Sequence, residues 1–215
     1  MSAGLPQGQT ASPGRGHSTR RLTPLPAAWQ MAWAAAVLVA VAACIGPFAP
    51  RLLATLVPAQ HSAFTALMPQ FKVVAFALEQ RGAHLKLRAT LSNDRYLVIS
   101  GRALEPGQSF DGETPARAGL VYAGLLLAGA ALFGSASRRI ALRATAASLL
   151  LATALVLFVP PLMLAGLLWG LAVNAFETFT AEAVLVAAAD FIAHGGGYAL
   201  TLACLVGLVA WSRRV

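Results

Sequence analysis

Charged residues are scarce in this sequence: they make up 11% of the 215 residues, whereas hydrophobic residues make up 58%. Soluble domains carry about 25% charged and about 45–50% apolar residues, so the composition excludes an ordinary soluble domain. The apolar residues are concentrated in four blocks, at about 27–56, 118–134, 144–171 and 183–211. Because a transmembrane helix needs roughly 20 mostly apolar residues, the blocks predict an integral membrane protein.

Cysteine is almost absent. The two cysteines, Cys44 and Cys204, both lie inside apolar blocks, which excludes the disulfide framework of a small secreted domain. The sequence also contains no zinc-type spacing of Cys and His, no phosphate-binding glycine loop, no dinucleotide fingerprint and no G-x-S-x-G element. We therefore expect no metal and no cofactor.

Acidic residues are outnumbered, at eight against sixteen Lys and Arg. The excess lies in the N-terminal tail, in the segment 135–143 and in the last residues, none of which contains an acid. Short loops rich in Lys and Arg face the cytoplasm. The pattern predicts a bacterial inner-membrane protein with both termini in the cytoplasm, and it ties the positive charge to membrane topology. Membrane lipid is thus an expected partner, and nucleic acid is not.

The fold class expected from this pattern is membrane α-helical, with four transmembrane helices and a small β-rich extracytoplasmic insertion between the first and second. Residues 1–26 are predicted as a disordered basic cytoplasmic tail, and 27–48 as the first transmembrane helix. Residues 49–117 form the extracytoplasmic segment. Residues 118–215 form a three-helix transmembrane region that includes an interfacial segment at 172–190.

The extracytoplasmic segment is predicted to contain a helix followed by a β-meander. The helix, at about 51–69, either lies on the membrane surface or packs on the domain that follows it. From His84 to Leu91 polar and apolar residues alternate strictly, which is typical of a half-buried strand. Residues 72–78 and 96–100 are predicted as its neighbouring strands, and 105–115 as a polar connector.

The alternation also predicts which side chains of the meander are buried. Leu85, Leu87 and Leu91 should share one buried face with Val98. The polar residues between them, beginning with His84, should lie on the opposite face.

Four residues are candidates for outer-face chemistry. Asp190 and His194 are four apart, so on a helix they share one face, and a carboxylate can orient an imidazole for proton transfer. Cys44 and Arg51, predicted at a similar depth, would add a thiol nucleophile and an anion clamp. The alternative is a solvated helix start with a capping acid and an interfacial histidine. The run Gly195–Gly197 should let another backbone come close.

Helix packing is the other candidate role. Gly124 and Ala128 have the spacing of small residues that lets membrane helices approach closely. We expect them to pack against helices of a membrane-protein partner or of a second copy of the chain.

The segment Tyr96–Arg102, followed by Pro106-Gly107, precedes the second span in a chain laid out as a tail, one span, a β-rich segment and three further spans. In this layout the chain resembles the small inner-membrane proteins that accompany bacterial exosortases. The resemblance implies an accessory role beside an enzyme, and it carries over no site residue.

Three functional hypotheses follow. The preferred one is a non-enzymatic accessory or assembly subunit that acts through its β segment and its helix packing. The alternative is a membrane-embedded enzyme with chemistry at Cys44, Asp190 and His194. A small transporter is less favoured, because the spans lack the buried acids and broken helices of coupled transporters.

Overall fold

The computed structural model describes residues 27–82, 84–99, 102–133, 138–174 and 184–214. The predicted tail, 1–26, lies outside these residues. The helices are α1 (Ala27–Ile45), α2 (Ala49–Leu67), α3 (Ala118–Phe133), α4 (Arg138–Asn174), α5 (Val184–Phe191) and α6 (Gly197–Arg214). The strands are β1 (Lys72–Arg81), β2 (His84–Ser92), β3 (Leu97–Ile99), β4 (Arg102–Leu104) and β5 (Ser109–Pro115). The described chain is thus mostly helical with a small antiparallel sheet, as the sequence predicted.

The sequence predicts four spans, and the described residues contain two, or up to three, helical segments that are long and apolar enough to cross a membrane. Two segments, Arg143–Ala172 and Val184–Trp211, are long and apolar enough to cross a membrane. A third is obtained if Ala35–Ile45 and Ala49–Leu67, bent by 72°, are taken as one broken span. α3 has 16 residues, or about 24 Å at about 1.5 Å per residue, which is short of a hydrocarbon core of about 30 Å.

α2 leaves α1 through a sharp turn and continues unbroken through Pro58. Its buried face includes Leu53 and Phe64, and the Phe64 ring lies 5.4 Å from the ring of Phe76 on β1. On another part of this face Gln60 contacts α4. Of the two placements predicted for this helix, the structure shows it packed on the sheet and on α4.

β2 is the central strand of a three-stranded antiparallel sheet with the order β1-β2-β5. Leu85, Leu87 and Leu91 are buried together on one face, which confirms the predicted alternation. His84 is exposed on the opposite face. The side chain of Val98 lies outside the described residues.

The third strand of this sheet corrects the sequence prediction. The strand predicted at 96–100 is β3 (Leu97–Ile99), and it pairs with β4 in a separate two-stranded sheet. β5 pairs with β2 instead, and it lies within the predicted polar connector. The inward positions of β5 are Phe110, Gly112 and Thr114, of which only one is a large apolar residue, so its alternation is hidden in the sequence.

The sheet and the helices share one hydrophobic core. Buried residues of β2 cluster with Leu164 and Leu168 of α4. A Cβ added at Gly112 would lie 2.9 Å from the Leu168 side chain, so glycine lets β5 approach α4 closely. The sheet is therefore fixed against one end of α4.

α4 passes through Pro160 and Pro161 without ending. Proline has no backbone N–H, so Pro160 leaves the carbonyl of Val156 without its helical partner. The fully buried Gln60 side chain of α2 donates from Nε2 to this carbonyl at 2.9 Å. Nearby, a Cβ at Gly119 would lie 2.7 Å from the carbonyl oxygen of Leu155. α2 and α3 therefore both meet α4 where the prolines interrupt it.

The apolar helical segment Val184–Trp211 is interrupted by a kink. The segment predicted as interfacial, 172–190, comprises the end of α4 and most of α5, while its residues 175–183 lie outside the described chain. α5 packs on α4 where Gly166 makes room: a Cβ there would lie 2.3 Å from that of Ala189. A π-helical turn, Ile192–Gly196, joins α5 to α6, and Gly195 within it has φ +97°. The expectation that no span is broken is wrong here, because the glycine run relaxes the helix.

Candidate functional site

The side chains of Asp190 and His194 contact each other where α5 meets the π-helical turn. Nδ1 of His194 lies 3.1 Å from Oδ1 of Asp190 and 2.9 Å from the backbone oxygen of the same residue. Both oxygens are acceptors, so Nδ1 of the neutral ring carries the proton and Nε2 is the free basic nitrogen. The two side chains are 78% and 69% exposed, so bulk water reaches both. The pair can accept a proton at Nε2, in the arrangement that the sequence predicted.

Tyr122 of α3 supports this turn from inside the protein, and sequence analysis missed it. Its hydroxyl donates to the carbonyl of Ile192 at 3.4 Å, and its ring packs on that of Tyr198, with the centroids 5.1 Å apart. A Cβ at Gly197 would lie 2.3 Å from the Tyr122 ring. The glycine run thus admits an aromatic side chain, where a backbone was expected. The sequence signal that could have pointed to Tyr122 was the presence of a polar hydroxyl one turn into an apolar span.

Cys44 and Arg51 lie on other elements. Cys44 is exposed near the end of α1, and Arg51 is exposed in the first turn of α2. α1 packs chiefly on α3, whereas α5 packs on α4. Within the described ranges no hydrogen bond or ion pair joins either residue to Asp190 or His194, and no three His, Cys, Asp or Glu side chains are grouped closely enough to hold a metal ion.

The small residues of α3 are occupied by the chain's own helices. A Cβ at Gly124 would lie 2.6 Å from Val41 and 3.0 Å from Ile45, so this position lets α1 pack on α3. Ala128, one turn further on, is partly buried. The close approach predicted for a partner helix is made within the chain at Gly124.

The outward face of the sheet carries a network of opposite charges. Its cations are Arg81, Lys86 and Arg88, and its acids are Glu79, Asp111 and Glu113. Arg88 lies 3.3 Å from Glu79, and Lys86 contacts Glu113. The hydrogen bond from Lys86 is the main reason that the pKa of Glu113 is held below its ordinary value of 4.5. Desolvation opposes this shift, and the positive charges of Lys86, Arg81 and Arg88 add to it. The three positive and three negative charges of this network balance, so it would not strongly attract a charged polymer.

The described chain therefore offers two surfaces for function, namely the exposed Asp190–His194 pair and the sheet fixed on α4. The first is a local proton acceptor, and the second is a rigid surface. Their interpretation rests on geometry and chemistry, since no protein family, no curated protein and no solved structure matches this chain.

Proposed function

We propose that the chain is a non-enzymatic accessory or assembly subunit of a bacterial inner-membrane system, serving protein sorting or cell-envelope export. It acts by contact, through its sheet and its helix packing. The observation that carries this proposal is the core shared by β2, β5, α2 and α4. A sheet that hung on a flexible linker would sample many positions, whereas this one is held at a fixed place on the helices.

The length of α4 supports a position for the sheet at the membrane surface. The 37 residues of α4 extend about 55 Å at about 1.5 Å per residue, while the hydrocarbon core is about 30 Å thick. One end of α4 must therefore project from the core. The sheet packs on the end that contains Leu164 and Leu168, and the basic segment 135–143 lies at the other end.

The proposed topology has α1, α3, α4 and α6 as the four spans, both termini in the cytoplasm, and the sheet in the periplasm. α3 is the shortest span, and a short helix is accommodated by local thinning of the bilayer. The basic residues at the two cytoplasmic segments and the chain end favour this orientation.

Cysteine labelling tests the topology. In a background in which Cys44 and Cys204 are alanine, a cysteine at Gln108 should react with an impermeant maleimide in intact spheroplasts. A cysteine at Ser135 should react only after permeabilisation. Labelling of Ser135 from outside would overturn the arrangement with both termini in the cytoplasm.

The alternative function, a membrane-embedded enzyme, is favoured by one observation, the Asp190–His194 pair. Complementation of a deletion strain separates the two. A contact role predicts that Cys44→Ala and His194→Ala both complement, because each side chain is exposed or partly exposed and adds little packing. Loss of a catalytic nucleophile or base commonly costs several orders of magnitude in rate.

Protein level is checked by immunoblot in the same strains. If both alanine variants accumulate normally and neither complements, the accessory function is wrong. Full complementation by both variants would rule out the enzyme hypothesis. Co-purification in mild detergent after cross-linking through the sheet would then identify the partner that the accessory function requires.

A further inference from the structure

A groove of about 380 Å³ lies between β5 and α5, with α4 as its floor. Its strand wall includes Glu113 and Pro115, its floor includes Gly170, and its helical wall includes Asp190 and Ala193. The strand that contributes to it is β5, which is an edge of the sheet, and the other lining residues come from α4, α5 and the turn after α5, so the groove runs along the edge of β5 that is not paired with β2. The groove is therefore bounded on one side by a strand edge and on the other by a helix.

The hydrogen bonds of β5 show which backbone groups face the groove. The N–H of Ala116 bonds the carbonyl of Leu85 at 3.0 Å, and the N–H of Asn93 bonds that of Gln108 at 3.2 Å. In an antiparallel ladder, bonded and non-bonded residue pairs alternate. With the observed register, the even-numbered residues of β5 bond to β2. The odd-numbered residues, among them Glu113, direct their backbone groups to the open edge.

This edge is available for pairing. Across the described ranges no further strand pairs with β5, and among these residues no hydrogen bond to the outward backbone groups of Glu113 is found. Exposed strand edges of this kind pair readily with another extended chain. Pro115 has no N–H, so pairing must end there.

The side chains around the groove define the chemistry of an occupant. The floor and the helical wall are apolar and include small residues such as Gly170 and Ala193. Among the described residues that line the groove, the charged ones are Glu113 on the strand and Asp190 on the helix, and none is a cation. An occupant with alternating apolar side chains and one basic side chain complements both features.

We propose that this groove binds an extended segment of a partner polypeptide, which pairs with β5 as a fourth strand. Alternate side chains of the segment pack on the α4 floor, and a Lys or Arg reaches Asp190. This inference rests on the proposed accessory function, since it names the surface by which the sheet meets its partner. Backbone pairing supplies affinity, and the apolar floor with its acidic rim supplies selectivity.

The probe is a displayed library of random nine-residue peptides, selected on the full chain in lipid nanodiscs. Peptides that are enriched should alternate apolar residues and carry a Lys or Arg. Their synthetic forms should bind wild-type protein in a fluorescence anisotropy titration. Glu113→Pro removes the outward N–H and leaves the bonds to β2, because proline is tolerated at an edge position whose N–H faces away from the sheet. It should weaken binding at least tenfold.

Glu113→Gln is the matched control, because it removes the charge and keeps the N–H. It should weaken binding much less than Glu113→Pro. Asp190→Asn should weaken binding about tenfold for peptides with a basic residue and leave their neutral analogues unchanged. If Glu113→Pro fails to fold, methylation of alternate peptide amides replaces it, and it should abolish binding to the wild-type chain.

Several results would overturn the proposal. These are a failure to enrich any peptide, equal binding by Glu113→Pro and Glu113→Gln, equal binding of methylated peptides, or a dimer of the chain itself that Glu113→Pro dissociates. Each leaves the accessory function standing if Cys44→Ala and His194→Ala still complement. If those two variants accumulate normally and fail to complement, the accessory function is wrong, whatever the result of the peptide-binding titrations.

Discussion

The Gln60 side chain donates to the Val156 carbonyl the hydrogen bond that Pro160, which has no N–H, cannot donate. The contribution of this hydrogen bond to stability can be measured. Gln60→Leu keeps the approximate size of the side chain and leaves the Val156 carbonyl without a partner. An unpaired buried acceptor costs about 1–3 kcal/mol, and hydrogen bonds between membrane helices contribute about 0.6–1.7 kcal/mol. Oε1 of Gln60 is itself buried without a partner, so its removal offsets part of the loss. We expect a net cost of about 1 kcal/mol.

A double-mutant cycle isolates the hydrogen bond from that offset. In a Pro160→Ala background the new N–H at residue 160 can bond the Val156 carbonyl, so Gln60→Leu should cost close to nothing. Pro161→Ala is the matched control, because its N–H would reach Leu157 instead. In that background the cost of Gln60→Leu should equal the cost in the wild-type chain.

The free energy of unfolding is measured in mixed micelles by titration with a denaturing detergent. The fluorescence of Trp169 reports the transition, because its ring packs on Phe71 beside the sheet, with the centroids 6.1 Å apart. Independent sites add within about 0.5 kcal/mol. Equal costs of Gln60→Leu in all three backgrounds, within that margin, would refute the assignment of Gln60 to the carbonyl left by Pro160.

Three further predictions concern the sheet and the helices. Leu87→Asp, which buries a charge at a position with 0% exposure, should lower protein accumulation far more than Lys86→Gln on the outward face, and equal immunoblot levels would contradict the strand register. Because the pKa of Glu113 is lowered in the folded protein, the stabilisation it gives is present above its ordinary pKa of 4.5 and should fade as the pH falls through the lowered value. Lys86→Gln should reduce this loss of stability at acid pH, measured as the fall in melting temperature with falling pH. An unchanged pH dependence would show that the Lys86–Glu113 pair is not its cause. Gly124→Ala should lower thermal stability because its Cβ would meet α1. Gly207→Ala should not, because a Cβ there would meet no described atom outside its own helix within 4 Å. Similar melting temperatures of the two variants would argue against the α1–α3 contact.

The elements that sequence predicts well here are those whose own residues carry the pattern. β2 alternates because one of its faces is buried and the other is solvated, and Leu87 could be placed inside from the sequence alone. β5 has the same geometry but fills its inner face with Phe110, Gly112 and Thr114. Its glycine is required by the approach of Leu168, a residue far along the chain, and no local pattern could reveal that.

The candidate site also has one part that the sequence predicts and another that depends on tertiary packing. Asp190 and His194 are four residues apart, so a single helix brings them together and the sequence predicts the pair. Tyr122 reaches the same turn from another helix, and only tertiary packing places it there. The groove beside β5 was beyond prediction for a further reason, since it depends on a strand that the sequence hid.

The core shared by the sheet and α4 has a consequence for biosynthesis. Leu168 is made roughly 80 residues after Leu87, and at about 5–20 residues per second the interval is roughly 4–16 s. During that time the shared core lacks the α4 residues that cover part of the apolar face of β2. Such transiently exposed apolar surface is prone to aggregate, so a nascent chain that stalls before α4 should require a chaperone or be degraded. Ribosome pausing between α3 and α4 would thus lower the yield of the protein without any change in its final structure.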